Sequence, residues 1–315
     1  FNNTNLNNKT GIYLSGGRSV KSITFNGGSP SPAFTLRLAD GNSSGTGASD
    51  LTFLSGNTGI SIASTDTNSH TIGVSDGNVV LQGNLLVTHN GTKTLTIDRP
   101  ITGAAFGVSL SGTGTMSLSA TNTYGGGTTI TGGTLKLSGG GKLAAGGISI
   151  AGGAIFDVSA QTTPTLAGNQ NLLGTGSVKG NLTTVATTAI YPATDGTAGT
   201  LTFSSNLTLN ASTKVQLDLS STYNGANDQI VLNGTGAVLT PNGAQITIKS
   251  DDTLDASVND YVLINLTGSG SPSISGSFNA IPVWAGTTPA NFNDYSIVTT
   301  ATQVTLHHAD AGNPS

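Results

Sequence analysis

Residues 123–160 read TYGGGTTITGGTLKLSGGGKLAAGGISIAGGAIFDVSA. Twelve of these 38 residues are glycine, yet apolar residues return in alternating pairs: Leu135/Leu137, Ile148/Ile150 and Phe156/Val158. Glycine weakens a strand and loses much entropy on ordering. A chain that keeps writing strands between glycines therefore needs them at its turns. Two-residue hairpins ask for isolated steps such as Asn26-Gly27 and Asn90-Gly91. Here the glycines come as doublets and triplets: Gly126, Gly127, Gly132, Gly133, Gly146, Gly147, Gly152 and Gly153 mark the corners. Corners of a β-solenoid need positive φ and close stacking of one coil on the next, which glycine permits.

Period-two alternation extends this reading in both directions. It recurs at Ile23/Phe25, Phe34/Leu36/Leu38, Leu51/Phe53, Ile60/Ile62 and Leu95/Ile97, then at Leu201/Phe203, Val215/Leu217/Leu219, Ile246/Ile248 and Val304/Leu306. The recurrence of Leu135/Leu137, Phe156/Val158, Val178 and Leu201/Phe203 suggests coils of about 20 residues, hence on the order of 15 coils and a rod near 70 Å long. Thr and Ser between the apolar positions are expected to face outward, with Thr or Asn forming side-chain ladders from coil to coil.

Composition agrees with an all-β chain. Charged residues are 8% of the total, against roughly 25% in an ordinary soluble domain. There is no glutamate, and arginine occurs three times, which leaves little material for amphipathic helices. The net charge of −4, without a Lys/Arg cluster, argues against a nucleic-acid partner. No apolar run approaches the roughly 18 residues of a membrane helix, and the absence of cysteine excludes disulfides. A polar start at FNNTNLNN shows no signal peptide, so an exported protein would carry its targeting segment outside this chain.

The stretch LSGTGTMSLSATNTYGGGTTITGGTLKL at 110–137 resembles the autotransporter-associated β-strand repeat of bacterial surface proteins. The matching residues are Gly114 to Ser119, Asn122 to Tyr124, Gly126 to Thr129 and Gly132 to Leu135, with Gly125 standing where the family usually has Thr and Met116 replacing a Leu. RSVKSITFNGG (18–28) is similar to the opening of such repeat regions, and NDQIVLNGTGAVL with the later SISGSFNAIP to an end module of large secreted relatives. The resemblance implies a right-handed parallel β-helix, export, and a surface, adhesive or scaffold role; it transfers no catalytic residue.

The expected organisation is a β-solenoid over 1–221, a more irregular C-terminal β module over 222–306 that closes it, and a polar tail over 307–315. The C-terminal part holds the only tryptophan, Trp284, and longer apolar runs.

Candidate chemistry is sparse. A β-helical glycosidase needs carboxylates converging on one face; Asp157, Asp218, Asp228 and Asp260 adjoin strands, but solvated surface carboxylates are the favoured reading. Asp251, Asp252 and Asp255 form an acidic cluster with Asp260, a weak calcium candidate that lacks the spacing of a known loop; an Asp-rich turn is the simpler reading. His307 and His308 are adjacent, so on a strand they point to opposite faces, and His70 and His89 read as isolated polar residues. Tyr13, Tyr124, Tyr191, Tyr223 and Trp284 are expected in core or corner packing rather than along a carbohydrate groove. No cofactor is expected.

The functional expectation is an extracellular, bacterial cell-surface structural protein, whose partner is itself in a fibre, sheath or coat. The alternatives are an adhesin or passenger domain that meets cell-surface glycans and, third, a polysaccharide-active enzyme.

Overall fold

The computed structural model describes residues 11–13, 17–27, 33–38, 49–56, 58–73, 77–194, 196–220, 225–250, 254, 260–289 and 291–309. These residues are strand, turn and one short 3-10 stretch at Phe292–Asp294. They divide into two compact units, residues 1–161 and 162–315.

In the first unit the chain visits three parallel sheets in rotation. One contains Gly11–Tyr13, Phe34–Arg37, His70–Gly73, Thr94–Ile97, Thr115–Leu118, Thr134–Leu137 and Ile155–Asp157. The second contains Arg18–Val20, Leu51–Phe53, Val79–Leu81 and Ile101–Thr102, and the third runs from Ser22–Phe25 through Thr58–Ile62, Leu85–His89, Val108–Gly112 and Thr128–Ile130 to Ile148–Ile150. One strand per sheet per turn, all pairing in parallel, is the arrangement of a β-solenoid.

The second unit repeats the plan. Asn171–Gly174, Ala189–Tyr191, Lys214–Asp218, Gln245–Ser250 and Val283–Gly286 form one parallel series, and Ser177–Lys179, Thr200–Phe203, Gln229–Leu232 and Asp260–Leu266 another. A third series, Leu182–Thr183, Leu207–Thr208, Val238–Thr240 and Ser273–Ile274, completes each turn. The pattern then changes: Gln303–His308 lies antiparallel on Asp260–Leu266, and Tyr295–Thr299 antiparallel on Gln303–His308.

Parallel pairing in register puts like residues over like. Leu95 lies beside Met116, Met116 beside Leu135 and Leu135 beside Phe156, all buried. Met116 thus fills a slot in an aliphatic column, as its flexible thioether can. Coil length is less regular than the sequence suggests. Thr94, Thr115, Thr134 and Ile155 follow one another at steps of 21, 19 and 21 residues, but Phe34 to His70 takes 36 and Ile230 to Ile264 takes 34. The 20-residue period is therefore local to the glycine-rich centre, and a count near 15 coils is too high. Added chain length between strands costs little closure entropy.

Not every Thr and Asn faces outward. Thr128 lies in register between Val108 and Ile148 and is buried. Its hydroxyl meets the Tyr124 hydroxyl at 2.6 Å, inside the coil. Burial pushes the Tyr124 phenol up to about 12, the Thr128 hydrogen bond acting weakly the other way. Asn122 ties three coils together: the Ile101 N–H donates to its Oδ1 at 2.9 Å, and its Nδ2 donates to the carbonyls of Ala120 (3.0 Å) and Lys142 (2.7 Å). The residues that carry the repeat-like motif are thus the ones that satisfy buried polar groups.

His307 and His308 belong to the strand Gln303–His308, so the polar tail expected from 307 begins after them. His308 points inward and is buried against the Tyr295 ring, 4.6 Å between centroids.

Removing the Asn122 side chain leaves the buried Ile101 N–H without its partner and takes a second donor from the Ala120 and Lys142 carbonyls, which keep the Lys142 and Asn122 N–H groups. Asn122→Ala is expected to cost about 2–4 kcal/mol, against less than about 0.5 kcal/mol for Thr129→Ala on an exposed strand face. Urea unfolding of the two variants beside the parent chain measures the difference.

Candidate functional site

The corner glycines fall into two groups. Gly127, Gly133, Gly146 and Gly153 take positive φ, and at Gly126 and Gly132 an added Cβ would collide with the backbone of the preceding coil. Gly125 is crowded too: a side chain there would run into the Ala104 carbonyl. A threonine, which the resembling repeat carries there, does not fit this corner.

Of the four strand-adjacent carboxylates, the fold brings Asp218 and Asp228 together. The Asp228 N–H donates to the Asp218 carbonyl at 2.8 Å, and the Asp218 N–H donates to Asp228 Oδ2 at 2.9 Å. Asp228 Oδ1 accepts from the Gly199 N–H at 2.8 Å, on the preceding coil. With 4% exposure and both oxygens held by backbone, Asp228 fastens a loop to the wall rather than facing a substrate. Burial raises its carboxyl to about 6, opposed by the two backbone hydrogen bonds and assisted by the Asp218 charge. Asp157 accepts from the N–H (2.9 Å) and hydroxyl (2.6 Å) of Ser159 and caps its own turn. Asp260 meets His307 Nδ1 at 2.9 Å on the surface. The calcium candidates Asp251, Asp252 and Asp255 lie outside the described residues.

His70 and His89 are not isolated. His70 Nε2 lies 3.0 Å from Asp66 Oδ2, both side chains buried, though outside good hydrogen-bond geometry. Phe25 stacks on the His70 ring at 4.2 Å. His89 is 1% exposed and neither ring nitrogen has a well-formed hydrogen bond. A Cβ at Gly114 would strike its imidazole, so that glycine makes the room. Burial lowers the His89 pKa; the Lys93 carbonyl and the Asp66 charge offset this in part, while His70 adds to it. Among the described residues no three such side chains are placed to hold a metal ion.

Tyr124 is core, as expected. Trp284 packs edge-on against Tyr295, 5.4 Å between centroids, Tyr191 is half-buried, and Tyr223 lies outside the described residues.

The remaining candidate is an edge. Val283–Gly286 is the last strand of its series and pairs with Gln245–Ser250 on one side only; no described strand covers the other. Ile281 is 75% and Val283 46% exposed, and Phe292 and Val298 are also exposed. Edges of soluble sheets are commonly blunted by lysine, but the chain carries no lysine or arginine after Lys249. Tyr295–Thr299 ends the neighbouring sheet but spends the Ile297 N–H on the Ala280 carbonyl at 2.8 Å. Val283–Gly286 is thus the more open of the two. Sequence reading passed over it because its exposure depends on which strand ends the stack. Compared with known proteins, the chain matches no family model and no curated protein.

The two buried polar sites respond oppositely to acid. An unfolded histidine takes its proton near 6.5, before buried His89 does. Stability is therefore complete above that value and is lost as pH falls below it, toward the lower folded value. For Asp228 the folded value, about 6, lies above the usual 3.8. The folded state keeps the proton longer, so stability rises as pH falls from about 6 to about 4, by on the order of 2 kcal/mol. The stability difference between the parent chain and Asp228→Asn, followed by urea unfolding from pH 7.5 to 4, is expected to shift toward the parent. The same comparison with His89→Leu is expected to shift toward the variant.

Proposed function

We propose that this chain is an extracellular structural protein of a bacterial cell surface, a subunit that assembles with copies of itself into a fibre, sheath or coat. It is a right-handed parallel β-solenoid of the autotransporter-associated repeat type, the hand following the general rule for parallel crossovers, and the antiparallel strands at 295–308 close its irregular C-terminal module.

The observation that carries the proposal is the open edge Val283–Gly286, with Ile281 and Val283 exposed beside it. A strand edge of this kind is a template for another strand. The walls support the same reading. Their polar groups are spent on neighbouring coils, as at Asn122, Asp228 and Thr184–Thr213 (2.5 Å between hydroxyls). Such a wall is suited to durability rather than to turnover.

Electron microscopy of the purified full chain over a range of concentrations tests the proposal. Regular fibres or sheets that lengthen with concentration are expected. Isolated particles at every concentration would overturn it and turn attention to glycan adhesion.

A further inference from the structure

Charge is distributed unevenly along the chain. Before Asp40 the charged side chains are Lys9, Arg18, Lys21 and Arg37, all basic. After Lys249 they are Asp251, Asp252, Asp255, Asp260, Asp294 and Asp310, with two histidines and no lysine or arginine. The basic stretch surrounds the first strands of the first unit's sheets: Arg18 and Lys21 are exposed, Arg18 on the strand Arg18–Val20 and Lys21 just before Ser22–Phe25. Of the acidic residues, Asp260 begins the strand Asp260–Leu266 and is exposed, and Asp294 directly precedes Tyr295–Thr299.

The two edges also match in their apolar groups. Trp284 lies in register with buried Ile248, so it points inward, yet it stays half-covered. Phe25 lies in register with buried Ile62 and is likewise half-covered. Each lies on the outermost described strand of its interior column. Both strands belong to parallel series, and no described strand pairs with their outer edges.

We infer that the partner of the Val283–Gly286 edge is the Ser22–Phe25 edge of a second copy, joined head to tail as one more parallel rung, with Asp260 and Asp294 drawn toward Arg18 and Lys21. The contact is heterologous, so repeating it propagates without closing on a pair. This rests on the self-assembly proposed above and names its surface. Opposite charge supplies orientation, since two like ends repel.

The test uses three full-length chains: the parent, Val283→Lys, and the double variant Arg18→Asp with Lys21→Asp. All three positions are exposed, and urea unfolding checks that each variant keeps the parent's stability. In analytical ultracentrifugation each variant alone is expected to stay monomeric where the parent assembles. Mixed one to one, they are expected to form dimers and nothing longer, because only one productive edge remains on each. Parent association is expected to weaken about tenfold or more between 0.05 and 0.5 M salt. Normal assembly of the Arg18/Lys21 variant, or a mixture without dimers, overturns the head-to-tail contact while leaving self-assembly standing. A parent that never assembles overturns both.

Discussion

Everything in this chain depends on parallel strands stacking in register. Once a residue is fixed on one coil, its neighbours above and below lie about 4.8 Å away, and each position extends into a column. Apolar columns such as Leu95–Met116–Leu135–Phe156 give the interior its cohesion. A polar side chain admitted to the interior must find its partner in the same or the adjacent coil, because water is excluded. Asn122 meets that demand for three coils at once, and Tyr124 and Thr128 meet it for each other. Stability is then a matter of nearest-neighbour contacts, so the loss of one such staple weakens a local joint.

The same constraint explains what could be read in advance. Alternation was legible because each strand has one buried face, and pairs such as Leu201/Phe203 and Ile246/Ile248 are indeed core. Of the glycine doublets, Gly127, Gly133, Gly146 and Gly153 take the positive φ of a corner, and Gly126 and Gly132 lie too close to the preceding coil for a side chain. Coil length was not legible. The register fixes where a strand lands but not how much chain leaves the corner between landings, and 19 residues serve as well as 36.

Buried polar residues were illegible for a different reason. In a chain this rich in Thr, Ser and Asn, an inward polar residue follows the same alternation as an outward one. Thr128 and Thr129 are neighbours of one type, yet one is bonded inside and the other exposed. His89 gave one local sign, since Gly114 on the next coil vacates the space its ring fills. That sign can be read only when the register is known. Asp218 and Asp228 read in sequence as two separate strand-adjacent acids, but the Asp228 N–H meets the Asp218 carbonyl and the Asp218 N–H meets the Asp228 carboxylate.

Parallel stacking pairs the backbone of each coil with the next, and at the last strand of a series no described strand takes the outer backbone groups. The chain treats its outermost strands unequally. The Ile297 N–H is used within the chain, on the Ala280 carbonyl, whereas no described strand pairs with the outer side of Val283–Gly286, beside an inward Trp284 that is only half-covered. At the opposite extreme of the sequence, Arg18 and Lys21 stand exposed beside the first rungs. Lysine or arginine on an edge repels a copy of itself but attracts an acidic neighbour. A charge placed at an edge therefore discourages unspecific pairing and, at the same time, selects a partner of opposite sign. The low charge of the chain sharpens this effect, because with 8% charged residues few others compete. From Asp40 to Lys249 nine aspartates nearly balance seven lysines and arginines, so the net sign lies in the two ends of the sequence.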